Sequence, residues 1–175
     1  MLATPRKKPP HARQNSAPST SRPFHIAISD RQRTYPLDVA QVRTWTTQIL
    51  TMQRCEPLEV SLLFVNDQAI RRLNRDYRHK DRPTNVLAFA MRDGADARHS
   101  APEPLGDPEH LGDVVISLAT TAREAAEYGR RTDEHLLILL IHGLLHLLGY
   151  DHERSDAEQR RMERRERRLF RAIWR

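Results

Sequence analysis

The sequence predicts a single α+β domain in which a β-sheet and several helices share one core. Three observations carry that expectation. Short β-branched or alternating apolar segments are interleaved with segments of helical period, which is the pattern of a layered α/β or α+β sandwich. The 175-residue length suits one domain with a sizeable core. Apolar residues make up 38% and charged residues 30%, the balance of a globular chain with polar ends.

Taken in order, residues 1–23 (MLATPRKKPPHARQNSAPSTSRP) are rich in Pro, Ser and basic side chains with almost nothing to bury. They predict a disordered basic tail ahead of one domain over 24–175. Their acid-free character has a faint likeness to an organellar transit peptide, against which a plain tail is the simpler reading. FHIAIS alternates and reads as a strand. Residues 38–52 read as a helix with Val39, Val42, Trp45 and Ile49 on one stripe. EVSLLFV (59–65) is a buried strand. NDQAIRRLNRDY follows as a helix capped by Asn66 or Asp67, with Ile70, Leu73 and Tyr77 on one face. RHKDRPT is a basic turn, NVLAFA a short strand, and residues 92–110 a long polar loop.

DVVIS (113–117) reads as a strand introduced by a turn at Gly112-Asp113, and residues 118–128 as a helix ending before Gly129. A central helix begins near Thr132, with Asp133 and Glu134 at its positive end, and stops at Gly149. The last helix opens on the capping-box pattern Ser155-Asp-Ala-Glu158. Its apolar stripe is Met162, Leu169, Phe170 and Ile173, and its other face is rich in arginine. The pattern leaves strand order open.

Composition narrows the function classes. The single Cys55 excludes an intramolecular disulfide and a cysteine-based zinc site, and it points to a reducing compartment such as the cytoplasm. No apolar run reaches the roughly 18 residues of a membrane span, and no secretory leader pattern precedes the domain. The net charge of +6 is gathered at the ends. Residues 1–22 hold five basic residues and no acid, and residues 153–175 hold nine arginines against five acids. Basic ends suit nucleic acid; a solvated tail and a charged helix face are the plainer alternative.

The chemistry concentrates in HGLLHLLGYDH, residues 142–152. His142 and His146 lie four apart, so on a helix both imidazoles project from one face. Gly149 lets the chain turn back and return His152 toward them. Three nitrogen donors with one open position are the ligand set of a catalytic zinc, since a closed structural site takes four protein ligands. His135 shares the face but lies about 10 Å up the helix, too far to join them.

The spacing resembles the metzincin signature HExxHxxGxxH, with Gly143 where those peptidases carry their glutamate base. Zinc alone can still make a bound water nucleophilic. Peptide hydrolysis also needs a proton for a poor leaving group, which leaves a metzincin-like peptidase as the weakest reading. A phosphodiester substrate would need a positive group for its phosphoryl oxygens, and YRHKDRPTNVLAF offers Arg78, His79, Lys80 and Arg82. Tyr150 and His79 could stack on bases, although packing is the commoner role for such a tyrosine.

LNRDYRHKDRPTNVLAF, LGDVVIS and HGLLHLLGYDH, in that order over residues 58–152, resemble the YbeY family of bacterial endoribonucleases. The resemblance implies a zincin-like α+β fold, one Zn²⁺ held by His142, His146 and His152, and Arg78 facing the scissile phosphate. It implies a zinc-dependent, single-strand-specific endoribonuclease of the cytoplasm acting in 16S rRNA 3′-end maturation and ribosome quality control. RNA and the ribosome or its proteins are then the expected partners, with no membrane involved. Asp113 and Asp151 match residues typical of the family and are candidates for supporting or structural roles, and His79, Lys80 and Arg82 for RNA contacts. Ala88 and Ala90 depart from the family's usual Ser and Pro. A zinc-containing ribosome-assembly or RNA-binding factor with little catalysis of its own is the alternative.

Overall fold

Four strands form one mixed sheet in the computed structural model, which describes residues 23–91, 109–150 and 155–175. They are β1 (His25–Asp30), β2 (Leu58–Val65), β3 (Val86–Ala90) and β4 (Glu109–Ser117), in spatial order β1-β2-β4-β3. β1, β2 and β4 run parallel, while β3 lies antiparallel to β4 at one edge. The expected α+β class with a mixed sheet is therefore what the chain adopts. The proposed basic tail falls on residues that, but for Pro23, lie outside those described.

The helices are α1 (Val39–Met52), α2 (Asp67–Arg78), α3 (Leu118–Glu127), α4 (Thr132–Leu147) and α5 (Asp156–Ile173). Period-two alternation sorts the sheet's faces. Leu58, Val60, Leu62 and Phe64 of β2 join one large core with α1, α4 and α5, and Val65, Val115 and Leu87 join a smaller one with Ile70 of α2. α4 lies in the larger core, where Leu137, Leu140, Ile141, Leu144 and Leu145 are fully buried. Each such side chain contributes about 1.5–3 kcal/mol, which makes α4 a rigid base for anything along its edge. Among the described residues, no helix is long and apolar enough to cross a membrane.

Two sequence expectations are corrected. Val39 is 40% exposed, because it opens α1 at the rim while Val42, Trp45 and Ile49 fill the core. Gly112 introduces no strand. It lies inside β4, which begins at Glu109, within the expected loop, the rest of which (92–108) lies outside the described residues. The β2 register moves from Glu59↔His110 to Val60↔Gly112, so Leu111 is the extra residue of a bulge. Gly112 takes φ +139, and a Cβ there would run into the Phe89 carbonyl oxygen of β3. Close backbone approach, not a turn, is why glycine stands here.

Gly143 brings α4 onto the sheet. A Cβ at this position would lie 2.6 Å from Val114 Cγ1 and 3.3 Å from Val86 Cγ2. Both neighbours are β-branched and stiff. Overpacking of this kind costs about 1–3 kcal/mol, against about 1 kcal/mol gained in helix propensity. Gly143→Ala is accordingly expected to lower the thermal midpoint, and a midpoint at or above wild type would show that the valines yield.

Candidate metal centre

α4 is apolar around most of its circumference, and His142 and His146 sit where one edge leaves the core. Each is half-buried. Their Nε2 atoms approach to 3.1 Å, with ring centroids 4.6 Å apart. His142 Nδ1 lies 2.8 Å from Glu166 Oε1 of α5. A carboxylate accepts only, so Nδ1–H donates, and Nε2 is the ring nitrogen directed at His146. A tetrahedral ion bonded at about 2.0–2.1 Å holds its nitrogens about 3.3 Å apart, close to the observed spacing. The donor pair fits zinc.

α4 ends as its sequence predicts. Gly149 has φ +79, its N–H donates to the His146 carbonyl at 2.9 Å, and the Tyr150 N–H donates to the Leu145 carbonyl at 3.0 Å. This paired closure turns the chain out of the helix just past the second histidine. His152, the expected third donor, and Asp151 lie outside the described residues. Among the described residues, no group of three or more His, Cys, Asp or Glu side chains gathers as a metal site. Burial pushes the Cys55 thiol up to about 11, away from the thiolate form that binds metal.

Arg78 shares a cleft of about 570 Å³ with His142 and His146, walled by Thr84, Asn85 and the residues of β3. α2 delivers it as its last residue, and the helix is pinned at both ends. Asn66 caps the start by accepting from the Ala69 N–H. Asp67 accepts from Ser117 Oγ at 2.6 Å and Thr120 Oγ1 at 2.8 Å, and pairs with Arg123 at 2.7 Å. At the far end His79 takes a left-handed conformation, φ +57, and Asn74 Nδ2 donates to the Arg82 carbonyl at 2.8 Å.

Burial alone would raise the Asp67 carboxyl, but the bonds from Ser117, Thr120 and Arg123 and the Arg123 charge outweigh it and hold it below the usual range. A depressed folded value means that Asp67 adds stability above the unfolded value near 3.9 and that the contribution is lost as pH falls through the folded one. Asp67→Asn should flatten the acid limb of a stability–pH curve. An unchanged limb would remove Asp67 from the account.

The wall strand β3 is anchored from behind. Glu124 of α3 accepts from Asn85 Nδ2 at 2.9 Å and from His135 Nε2 at 2.9 Å, while Asn85 Oδ1 accepts from the Val86 N–H at 2.7 Å. His135 is thus part of the scaffold. His79, Lys80 and Arg82 are exposed on the turn after Arg78, outside the residues that line the cleft. Asp113 faces His110 at 3.7 Å on β4 and is not part of the cleft wall. Tyr150 is buried, with the Arg161 guanidinium 5.5 Å over its ring, so it packs and offers no free face to a base.

Glu166 is the functional residue that sequence reasoning missed. It hides among charges in ERRERR, yet it falls four residues after Met162 and three before Leu169, on the stripe those buried residues define. An acid on a buried stripe was the available signal.

Comparison with known proteins bears on fold and family. The profile of the endoribonuclease YbeY family matches residues 27–173. An endoribonuclease YbeY of Geobacter metallireducens is 46% identical over 146 residues, covering 83% of this chain and 93% of its own. That of Magnetococcus marinus is 52% identical over 110 residues, covering 63% and 75%. The solution structure of TM1509 from Thermotoga maritima superposes with a TM-score of 0.57 at 24% identity, covering 85% of this chain and 89% of that one, a likeness of fold. With 147 consecutive positions inside the family profile, and with relatives this similar, the chain belongs to the YbeY family of endoribonucleases.

Proposed function

We propose that this chain is a zinc-dependent endoribonuclease that cuts single-stranded RNA in the cytoplasm, acting on the 3′ end of 16S rRNA and in ribosome quality control. One observation carries the reading: two imidazoles with converging nitrogens share an open cleft with an arginine. His142, His146 and His152 would hold the ion. A zinc ion there supplies Lewis acidity and brings the pKa of coordinated water near 7.

The protein's own groups do the rest. Glu166 holds the His142 ring in one tautomer and orientation. Arg78 presents a planar set of donors suited to phosphoryl oxygens and offsets the charge that builds on them during displacement. β3 forms the wall along which the strand lies. Its anchor through Asn85 and Glu124 holds that wall in place. Peptide hydrolysis finds no support, because Gly143 abuts Val114 and leaves no space for a carboxylate base.

The nucleophile is water or the RNA 2′-hydroxyl, and the products distinguish them, since a 2′,3′-cyclic end marks the hydroxyl. The direct test gives zinc-loaded protein single-stranded RNA, duplex RNA and a 16S precursor with an unprocessed 3′ end. Cutting confined to the single-stranded segments supports the proposal, and equal cutting of duplex contradicts it. Glu166→Ala should weaken zinc binding by about 10–100-fold, measured by competition with a chelating dye. Wild-type zinc affinity in that variant would reduce Glu166 to a packing contact.

A further inference from the structure

We infer that the outer face of α5 is a docking ridge for the phosphate backbone of an RNA strand whose reactive segment lies in the cleft. Arg161, Arg164, Arg165 and Arg168 line a shallow groove of about 210 Å³. They fall at i, i+3, i+4 and i+7, so four guanidinium groups crowd about 10 Å of helix axis. Like charges at these spacings destabilise a helix. A polyanion lying in the groove removes that repulsion.

The acids of α5 relieve it only at Arg161. Glu166 is turned inward to His142 at 2.8 Å, Glu163 accepts from Gln159 Nε2 at 3.0 Å, and Glu158 reaches Arg161 only at 3.6 Å. Among the described residues Arg164, Arg165 and Arg168 form no ion pair. The basic residues of α2 contrast with this, since Arg71 is paired with Asp81 at 2.8 Å and Arg75 with Asp76 at 2.9 Å. Two of the four arginines of α2 are thus answered by nearby carboxylates, while along the α5 groove only Arg161 is.

Position links the ridge to the cleft. The two turns of α5 that carry the arginines also carry Glu166, whose carboxylate touches His142. The ridge therefore lies within about one helix diameter, 10–12 Å, of the candidate metal centre. The inference rests on RNA being the substrate of the cleft.

The test measures binding of fluorescein-labelled 2′-O-methyl oligo(U), checked intact on a gel, to the full chain and to an R161Q/R164Q/R165Q/R168Q variant across a salt series. Each phosphate contact on a single strand contributes about 0.7 to the slope of log affinity against log salt. Loss of all four should lower that slope by up to about 3 and weaken binding at low salt at least about tenfold. The thermal midpoint should hold or rise as repulsion is relieved, and an all-lysine variant should retain most of the slope. Equal affinity and slope in wild type and variant would overturn the inference and leave the cleft reading standing. A collapsed midpoint would mark the arginines as packing groups and overturn it as well. Unchanged RNA binding with lost binding to poly-glutamate would assign the ridge to an acidic protein instead. A wild-type chain that binds no RNA would sink the cleft reading and the ridge together.

Discussion

Replacing His146 by alanine is expected to abolish RNA cleavage and strip the protein of zinc while leaving the fold intact. The ring stands at the edge of α4, half-buried, and its Nε2 lies 3.1 Å from that of His142. Truncation removes a donor, not a piece of the core. Losing the hydrogen-bond partner behind a ligand costs about 10–100-fold in metal affinity, so losing the ligand itself should cost more. Metal content after gel filtration, circular dichroism and cleavage of a single-stranded RNA give the three readings. Full zinc occupancy with His146 gone would mean that the ion, if any, binds elsewhere.

Arg78→Ala should separate chemistry from metal binding. Arg78 lines the same cleft but projects from α2, and the donor pair on α4 does not depend on it. Removing a charge-stabilising donor from a displacement site typically costs about 10²–10³-fold in rate. That loss is expected in kcat with zinc content unchanged. Arg78→Lys should recover only part of it, because an ammonium cannot present two parallel donors to a phosphoryl group. Wild-type turnover in Arg78→Ala would take the arginine out of the mechanism.

These two variants probe the part of the site that local pattern made legible. Helical period exposed the shared face of His142 and His146, and Gly149 marked the helix end that the Tyr150–Leu145 and Gly149–His146 bonds close. Capping residues were equally readable: Asn66 and Ser155 each accept from the backbone N–H three residues on. Long-range pairing was not. Asn85 and Glu124 are 39 residues apart and His142 and Glu166 are 24 apart, so no local period joins them. Gly112 misled for a related reason. Gly-Asp commonly marks a turn, and only the neighbouring strand, with Phe89 pressed against it, reveals a bulge. Sheet order and the antiparallel edge of β3 likewise depend on pairings that hydrophobic alternation cannot rank.

Arg161 illustrates a further limit. In sequence it is one of seven arginines in a charged C-terminal helix. In the fold it is the member whose guanidinium lies over buried Tyr150 and opens a groove of like charge. Composition located the basicity; packing decided which side of α5 carries it.

The central claim is that three histidine nitrogens hold one zinc ion beside Arg78. X-ray absorption at the zinc edge on the purified chain, with metal quantified per chain, tests it most directly. One zinc per chain with three imidazole donors, lost when His142, His146 and His152 are all replaced by alanine, is the predicted result. Zinc retained at full stoichiometry in the triple variant, or RNA cleavage undiminished after chelation, would contradict it.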